Sequence, residues 1–432
     1  MTEGPRIYNL FPLLAGSVRQ WESHLPRIAG MGFNWVYVNP FHYPGFSGSL
    51  YAVKDYYRLH DRMWDGEHSL EASIGDFCRC AAGLGVSVIM DLVINHTSKD
   101  SILAEQHPGW FRHEADGSLH SPRAIDPADA RKVTVWGDLA ELDYEKPANQ
   151  AALISYFGTL IGHFIDCGVQ GFRCDAAYQI PADAWNKLIR FARFKRKSTI
   201  FLAETLGCRL EQVQALRQAG FDYLFNSAKW WDFRKPWLLE QYESFRHVAP
   251  SIAFPESHDT PRLAAEIGES DPFIIERAYR LHYLRTATFS TGVMMPIGYE
   301  FGFGRRLHVV TTRQEDWEAP RFDLSAWIGA VNQMKAAAPA LNVEGPQYHV
   351  PATDPAIVCL VRRVHGQHSW AVTYMNTDLW QPHETRVEGI EADMNADMND
   401  GREVTPDHAP TPLRIGDVLR LEAGEARVFV TP

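Results

Sequence analysis

Short runs of β-branched and other apolar residues alternate along this chain with amphipathic segments of helical period. Eight such runs, at 6–12, 35–41, 87–95, 171–176, 199–205, 221–225, 252–256 and 292–297, are bounded by turn residues and read as strands. Between them the apolar positions recur every three or four residues. Leu70, Ile74, Phe77, Ala81 and Leu84 share one helix face, and Leu153, Phe157, Leu160, Ile161 and Phe164 share another. Gly83 and Gly85 close the first of these helices, and Pro147 opens the second from the first-turn position that proline favours. Repeated strand–helix units predict a parallel sheet, and eight of them predict an α/β fold closed into a (β/α)8 barrel.

Two stretches interrupt the rhythm. After the third strand, 97–143 is polar and carries no sustained period, which predicts a small inserted subdomain at the C-terminal face of the barrel. From 345 to 432 the helical pattern gives way to short strand candidates at 357–364, 370–374, 418–421 and 426–430. They predict an antiparallel β-sandwich domain, leaving 1–96 and 144–344 for the barrel.

In a barrel of this kind the catalytic groups stand where strands end at the C-terminal face. The third strand ends in Asp91, Asn95 and His96, the fourth in Arg173 and Asp175, the fifth in Glu204 and the seventh in His258 and Asp259. A single aspartate at a strand end is usually a turn or cap residue, but several acids from separate strands converging on one mouth are not explained that way. Glycoside hydrolysis with retention needs such a set: one carboxylate attacks the anomeric carbon and a second, protonated, gives its proton to the leaving oxygen. Arg173 shares a strand face with Asp175 and would hold it ionised, which suits the nucleophile. Glu204 follows the apolar Phe201-Leu202-Ala203, a setting that favours the protonated acid. His96, His258 and Asp259 would then hold sugar hydroxyls.

Composition narrows the alternatives. A net charge of −11 argues against nucleic acid, and no apolar run reaches the roughly 20 residues of a membrane helix. The basic group Arg190, Arg193, Lys195, Arg196 and Lys197 closes a helix, where cations suit the dipole. Six cysteines without C-x-x-C spacing predict buried thiols and not a zinc site or disulfide framework, and with no secretory pattern at the start the expected location is cytoplasmic. Nothing in the sequence specifies the oligomeric state.

The segments DLVINH at 91–96, GFRCDAAY at 171–178, AET at 203–205 and FPESHD at 254–259 resemble, in order and spacing, the four signature regions of the α-amylase family, glycoside hydrolase family 13. SLYAVKDYY at 49–57 resembles the family's segment after the second strand. The resemblance implies Asp175 as nucleophile, Glu204 as acid/base and Asp259 as the third carboxylate, binding hydroxyls of the distorted sugar. It implies Tyr51, His96, Arg173 and His258 as sugar or nucleophile contacts, and Asp91 as the structural aspartate beside the nucleophile.

The chain also departs from that pattern. Many α-amylases place a basic residue three positions after the nucleophile, where this chain has Tyr178; a family segment that helps bind calcium reads LAELD here, with Glu141 in place of aspartate. Asn95 is then the one candidate calcium ligand, so no metal or other cofactor is expected. On the leaving side Tyr178, Trp230 and Trp231 are the expected substrate contacts, offering flat faces to sugars, unless the two tryptophans only pack their loop. Arg305 and Arg306, after the eighth strand, either meet a phosphate or form salt bridges. The expected activity is hydrolysis of α-glucosidic bonds in short α-glucans or oligosaccharides. The alternatives are a glucosyl- or maltosyl-transferase using the same covalent intermediate, with or without a phosphorylated partner, and a noncatalytic carbohydrate-binding protein.

Overall fold

The computed structural model describes residues 3–126, 129–364, 369–389 and 401–431. Eight parallel strands, β1 (Arg6–Leu10), β2 (Trp35–Val38), β3 (Ser87–Leu92), β4 (Gly171–Cys174), β5 (Ile200–Ala203), β6 (Tyr223–Phe225), β7 (Ser251–Ala253) and β8 (Gly292–Pro296), pair in sequence order and close β8 onto β1. All eight strands read from the sequence are present. The barrel is filled, not hollow: Ile7, Tyr37, Ile89, Leu202, Phe225, Ile252 and Met294 form one buried cluster inside it. Gly171 starts β4 where that filling leaves no room, since a Cβ there would lie 2.9 Å from both Ile89 and Ile200.

The helices follow from their apolar stripes. In α1 (Leu70–Gly83) the Ser69 hydroxyl caps the first turn, and Leu70, Ile74, Phe77 and Ala81 are buried. In α2 (Pro147–Asp166) the inward face is Leu153, Phe157, Leu160, Ile161 and Phe164. Arg193 and Lys195 stand in the last turn of α3 (Ala182–Lys195). Two more long helices, α4 (Pro272–Phe289) and α5 (Ser325–Ala337), complete the outer layer toward the C-terminus. Among the described residues no helix is long and apolar enough to cross a membrane.

The polar stretch after β3 is not wholly irregular. His96–Ser98 pairs with Leu139–Glu141, and a two-stranded hairpin, Arg123–Asp126 with Asp129–Val135, stands out between them. In its second strand 131–135 are exposed, so no buried face marks that strand in the sequence.

Beyond the barrel lie β9 (Gln347–Val350), β10 (Ile357–Arg363), β11 (Trp370–Asn376), β12 (His383–Arg386), β13 (Arg402–Glu403), β14 (Val418–Leu421) and β15 (Ala426–Val430). They form a five-stranded antiparallel sheet ordered β9-β10-β11-β15-β13 and a β12–β14 pair, with Val361, Trp370, Val372, Leu419, Leu421 and Phe429 packed in one core. This sheet is keyed into the barrel at the end of α4. The buried Lys335 Nζ donates to the carbonyls of Ala287 at 2.8 Å, Ser290 at 2.7 Å and Leu341 at 2.8 Å. Arg362 of β10 donates to the Phe289 carbonyl at 3.0 Å and the Val343 carbonyl at 2.6 Å, and Gln347 donates to Phe289 at 2.7 Å. The last carbonyls of a helix have no intrahelical partner, and two cations and an amide supply them here. All six cysteines are free; Cys78, Cys174 and Cys359 are buried, whereas Cys80 is exposed, against the expectation that all would be inside.

Candidate active site

The strands of the barrel carry their C-terminal ends to a cavity of about 470 Å3, lined by Tyr51, His96, Arg173, Asp175, Tyr178, Glu204 and Asp259 among others. That volume is ordinary for a small-molecule site. The alternation of β4 explains its centre. Phe172 and Cys174 are buried, while Arg173 and Asp175 turn the other way and Arg173 lies opposite Asp91 of β3 in register. Arg173 Nη1 donates to Asp175 Oδ1 at 2.7 Å and to Asp91 Oδ1 and Oδ2 at 2.9 and 3.1 Å. One guanidinium therefore holds two carboxylates, and the outer of them, Asp175, faces the cavity.

Asp91 is fully buried and also accepts from the hydroxyls of Tyr37 at 2.6 Å and Tyr51 at 2.7 Å. Tyr51 keeps its proton, because burial pushes its pKa far up and the Asp91 charge adds to that. Its hydroxyl donates to Asp91 and accepts from Asn39 Nδ2 at 3.1 Å, leaving one lone pair for His258 Nε2 at 2.7 Å. His258 Nε2 therefore carries a proton, which it also directs at Asp259 Oδ2 at 3.0 Å. The Tyr51 and His258 rings stack with centroids 5.7 Å apart. Burial would raise Asp259, but His258, Arg173 and Arg306 outweigh it and hold the carboxyl at about 2. Asp259 is thus an anion at the lip.

Glu204 has a different environment. Its Oε2 accepts from the Ala176 amide at 2.8 Å and its Oε1 from the Leu206 amide at 3.0 Å. Ala176, directly after Asp175, adopts a left-handed conformation (φ 39°, ψ 48°), which is unfavourable for a residue with a side chain and aims its N–H at Glu204. Burial, reinforced by the negative charge of Asp175 and opposed by Arg173, raises Glu204 to about 7. The mouth thus holds one carboxylate fixed by a guanidinium and a second carboxyl that keeps a proton near neutral pH. This is the pair of opposed environments that acid/base work beside a nucleophile requires.

His96 reaches the same cavity. Its Nε2 donates to the Tyr51 carbonyl at 3.1 Å, and burial lowers its pKa, so the ring is neutral. Tyr178 and Gln179 form the wall beyond Asp175.

The two tryptophans read as leaving-side contacts are placed otherwise. Trp231 is 3% exposed, donates its indole N–H to the Lys235 carbonyl at 2.7 Å and packs on Phe233, Phe289 and His349. It seats its loop on the C-terminal sheet, so the expectation that it meets sugar is corrected. Trp230 is 51% exposed and leans edge-on against Phe254, outside the lining of the main cavity. Trp231→Ala is expected to cost about 3–5 kcal/mol in urea unfolding, the range for emptying a buried aromatic site, while Trp230→Ala should cost about 1 kcal/mol or less. Equal losses would contradict the placement.

Arg305 is engaged by Asp316, and Glu318 accepts from its amide at 2.7 Å, so salt bridging describes it; Arg306 donates to the Asp259 carbonyl at 2.8 Å. The calcium position does not fit the metal. Glu141 is taken up by Arg112 at 3.1 Å and His120 at 3.3 Å, and no group of three or more His, Cys, Asp or Glu side chains suited to a metal occurs among the described residues. Asn95 Oδ1 is buried without a partner, one oxygen and not a cage.

Several contributors were not read from the sequence. Tyr37 and Asn39 lie in an apolar strand run, where polar atoms aimed into a barrel look like packing. Trp136 and Leu139 line the cavity from the polar stretch after β3, and a tryptophan within so polar a segment is the signal that could have found that wall.

Residues 4–115 match the family described as "Glycogen debranching enzyme, glucanotransferase domain". The chain is 28% identical over 389 residues to the α-1,4-glucan:maltose-1-phosphate maltosyltransferase of Burkholderia pseudomallei, covering 88% of this chain and 33% of that one. It is 26% identical over 374 residues to the enzyme of the same name from Myxococcus xanthus, covering 78% and 54%. The chain thus spans between a third and about half of these relatives' length. Among solved structures, an α-amylase from Lactobacillus plantarum superposes with a TM-score of 0.73 at 21% identity, covering 99% of both chains. An α-amylase from Geobacillus thermoleovorans, complexed with acarbose, superposes with a TM-score of 0.76 at 17% identity, covering 99% of this chain and 98% of that one. With the segments that resemble its signature regions gathered at the mouth of a closed eight-stranded barrel, the chain is similar in sequence and in fold to enzymes of the α-amylase family.

Proposed function

We propose that the protein is a retaining transglycosylase that moves a glucosyl or maltosyl unit onto an α-glucan or oligosaccharide. The observation that carries this reading is the unequal carboxyl pair, Asp175 held by Arg173 and Glu204 raised to about 7. The choice of transfer over the hydrolysis expected from the sequence rests on the relatives, which are named as maltosyltransferases.

In the first step Asp175 attacks the anomeric carbon, the glycosidic C–O bond breaks, and the Glu204 proton goes to the departing oxygen. In the second step an acceptor hydroxyl gives its proton to Glu204 while its oxygen forms the new bond and frees Asp175. Arg173 orients the nucleophile with Asp91 as its buried anchor, and Asp259 and His258 bind hydroxyls of the sugar as it flattens. Tyr51 lies beneath that ring, and His96 holds its far side. Tyr178, Leu139 and Leu206 surround the intermediate with apolar surface, which favours a sugar acceptor over water.

The test is a time course on maltotetraose, following chain lengths by chromatography and new anomeric protons by NMR. Products longer than the donor should accumulate without a matching rise in reducing ends, with α-linkages throughout. Reducing ends that rise with no longer product would return the assignment to a hydrolase, and a β-anomer formed first would exclude retention.

A further inference from the structure

A second cavity, of about 370 Å3, opens between the segments that follow β1 and β8. Leu14, Gln20, Ser23 and His24 line it from the first segment, Gln314 and Trp317 from the second, and it shares no lining residue with the active-site cavity. Trp317 is its aromatic wall. The indole is 38% exposed yet held in place, edge-on against Phe303 at 5.1 Å, against Phe301 at 6.1 Å, and tilted over the His24 ring at 5.6 Å. An aromatic face fixed in this way loses little freedom when a ligand stacks on it.

The polar groups around the indole are unspent. Gln20 Nε2 donates to Gln314 Oε1 at 3.2 Å, which leaves one N–H of Gln20 and both of Gln314 without a partner among the described residues. Gly16 lets the two amides meet: its φ is 88°, and a Cβ there would lie 2.3 Å from Gln20 Oε1 and 3.0 Å from Gln314 Cδ. His24 Nδ1 accepts from Arg27 Nη2 at 3.2 Å, so its proton stands on Nε2, and burial beside the Arg27 charge lowers its pKa to about 4. Ser23 Oγ donates to the Gln20 carbonyl at 2.7 Å and keeps lone pairs to accept with. No lining side chain is charged at neutral pH. Arg27 is taken up by Glu300, and Asp316 by Arg305.

We infer that this cavity is a second carbohydrate site, which stacks one ring of a neutral α-glucan chain on Trp317 and binds its hydroxyls with Gln20, Gln314 and His24. A phosphate or an acidic peptide would find no free cation in the lining, and a basic one no carboxylate. A sugar brings no charge, an apolar ring face for the indole, and hydroxyls that donate and accept at once, as the paired amides require. Both bounding segments follow strands at their C-terminal ends, so a chain held here stays on the face of the barrel where the mouth opens. Its effective concentration at the mouth is raised accordingly. The inference rests on the proposed α-glucan substrate for the identity of the chain, and not on whether the enzyme transfers or hydrolyses.

The experiment is native affinity electrophoresis of the full chain through gels of rising glycogen concentration, with every protein carrying Asp175→Asn so that the probe is not consumed. Trp317→Ala should raise the apparent Kd about 10-fold, the scale of a lost aromatic anchor. Gln314→Ala leaves the indole packing in place and should raise it about 3-fold, as for one lost hydrogen-bonding side chain. Trp230→Ala removes an exposed indole that lines neither cavity and should change nothing. Retardation that neither Trp317→Ala nor Gln314→Ala weakens would overturn the second site and leave the proposed function standing. Equal weakening by Trp230→Ala would also overturn it, since exposed indoles would then be holding glycogen indiscriminately. No retardation of any of the proteins would remove the α-glucan reading on which the site rests.

Discussion

Asp175→Asn should fold as the wild type does and turn over essentially no substrate. The amide cannot form the glycosyl-enzyme, and loss of a covalent nucleophile costs several powers of ten in kcat. The fold should survive because Arg173 retains its contacts with the buried Asp91, which in turn keeps the Tyr37 and Tyr51 hydroxyls. The deeper half of the network does not depend on Asp175. Thermal unfolding and initial rates on maltotetraose, measured on the same preparation, check both halves of the expectation. A rate above about one tenth of wild type would remove Asp175 from the nucleophile's role.

Glu204→Gln should be as damaging on natural sugars but much less so for the glycosylation step with an activated aryl glucoside, whose leaving group departs without a proton. In the wild type, kcat/KM on maltotetraose should fall as pH rises through about 7, where Glu204 loses its proton; the aryl substrate should not show that limb. The same shift has a consequence for stability. Glu204 titrates near 4.5 when unfolded and near 7 when folded, so the native state binds the extra proton between those values. The wild type therefore loses stability as pH rises through that window, and the Gln variant does not. The difference between the two proteins should move by about 3 kcal/mol in the variant's favour between pH 4 and pH 8, at 1.36 kcal/mol per pKa unit. Urea unfolding at the two pH values reads this directly, and a pH-independent difference would mean that Glu204 is not desolvated as described.

The barrel was legible because each of its strands is an apolar run set off by turn residues, and because parallel β–α units leave few other closures. The carboxylates at the mouth were legible because strand ends point to one place in this fold: Asp91, Asp175 and Glu204 come from the adjacent β3, β4 and β5, and Asp259 from the loop after β7. Side-chain direction inside loops was not legible. Trp230 and Trp231 are adjacent and chemically identical, yet one is half exposed and the other buried against His349 of the C-terminal sheet, a contact more than a hundred residues away. No local pattern encodes that difference. Trp136 escaped notice for a related reason: it follows a strand that is exposed over 131–135, so no buried face flags a structured segment there. Strands β9, β12 and β13 were missed because they are short and partly exposed.

The cations at the end of α4 set the order in which the molecule can be built. A ribosome delivers the N-terminal residues first, so all eight barrel strands are synthesised before the C-terminal sheet exists. Yet the Phe289 carbonyl at the end of α4 finds its partners in Gln347 and Arg362, residues of that sheet. Arg362, in turn, is a buried guanidinium whose acceptors lie in the barrel and the segment that follows it. Neither part has its polar groups satisfied alone. During synthesis the closed barrel is therefore a waiting state, frayed at the end of α4 until Arg362 emerges. For the same reason a chain cut after the barrel would give not a smaller enzyme but an arrested nascent form.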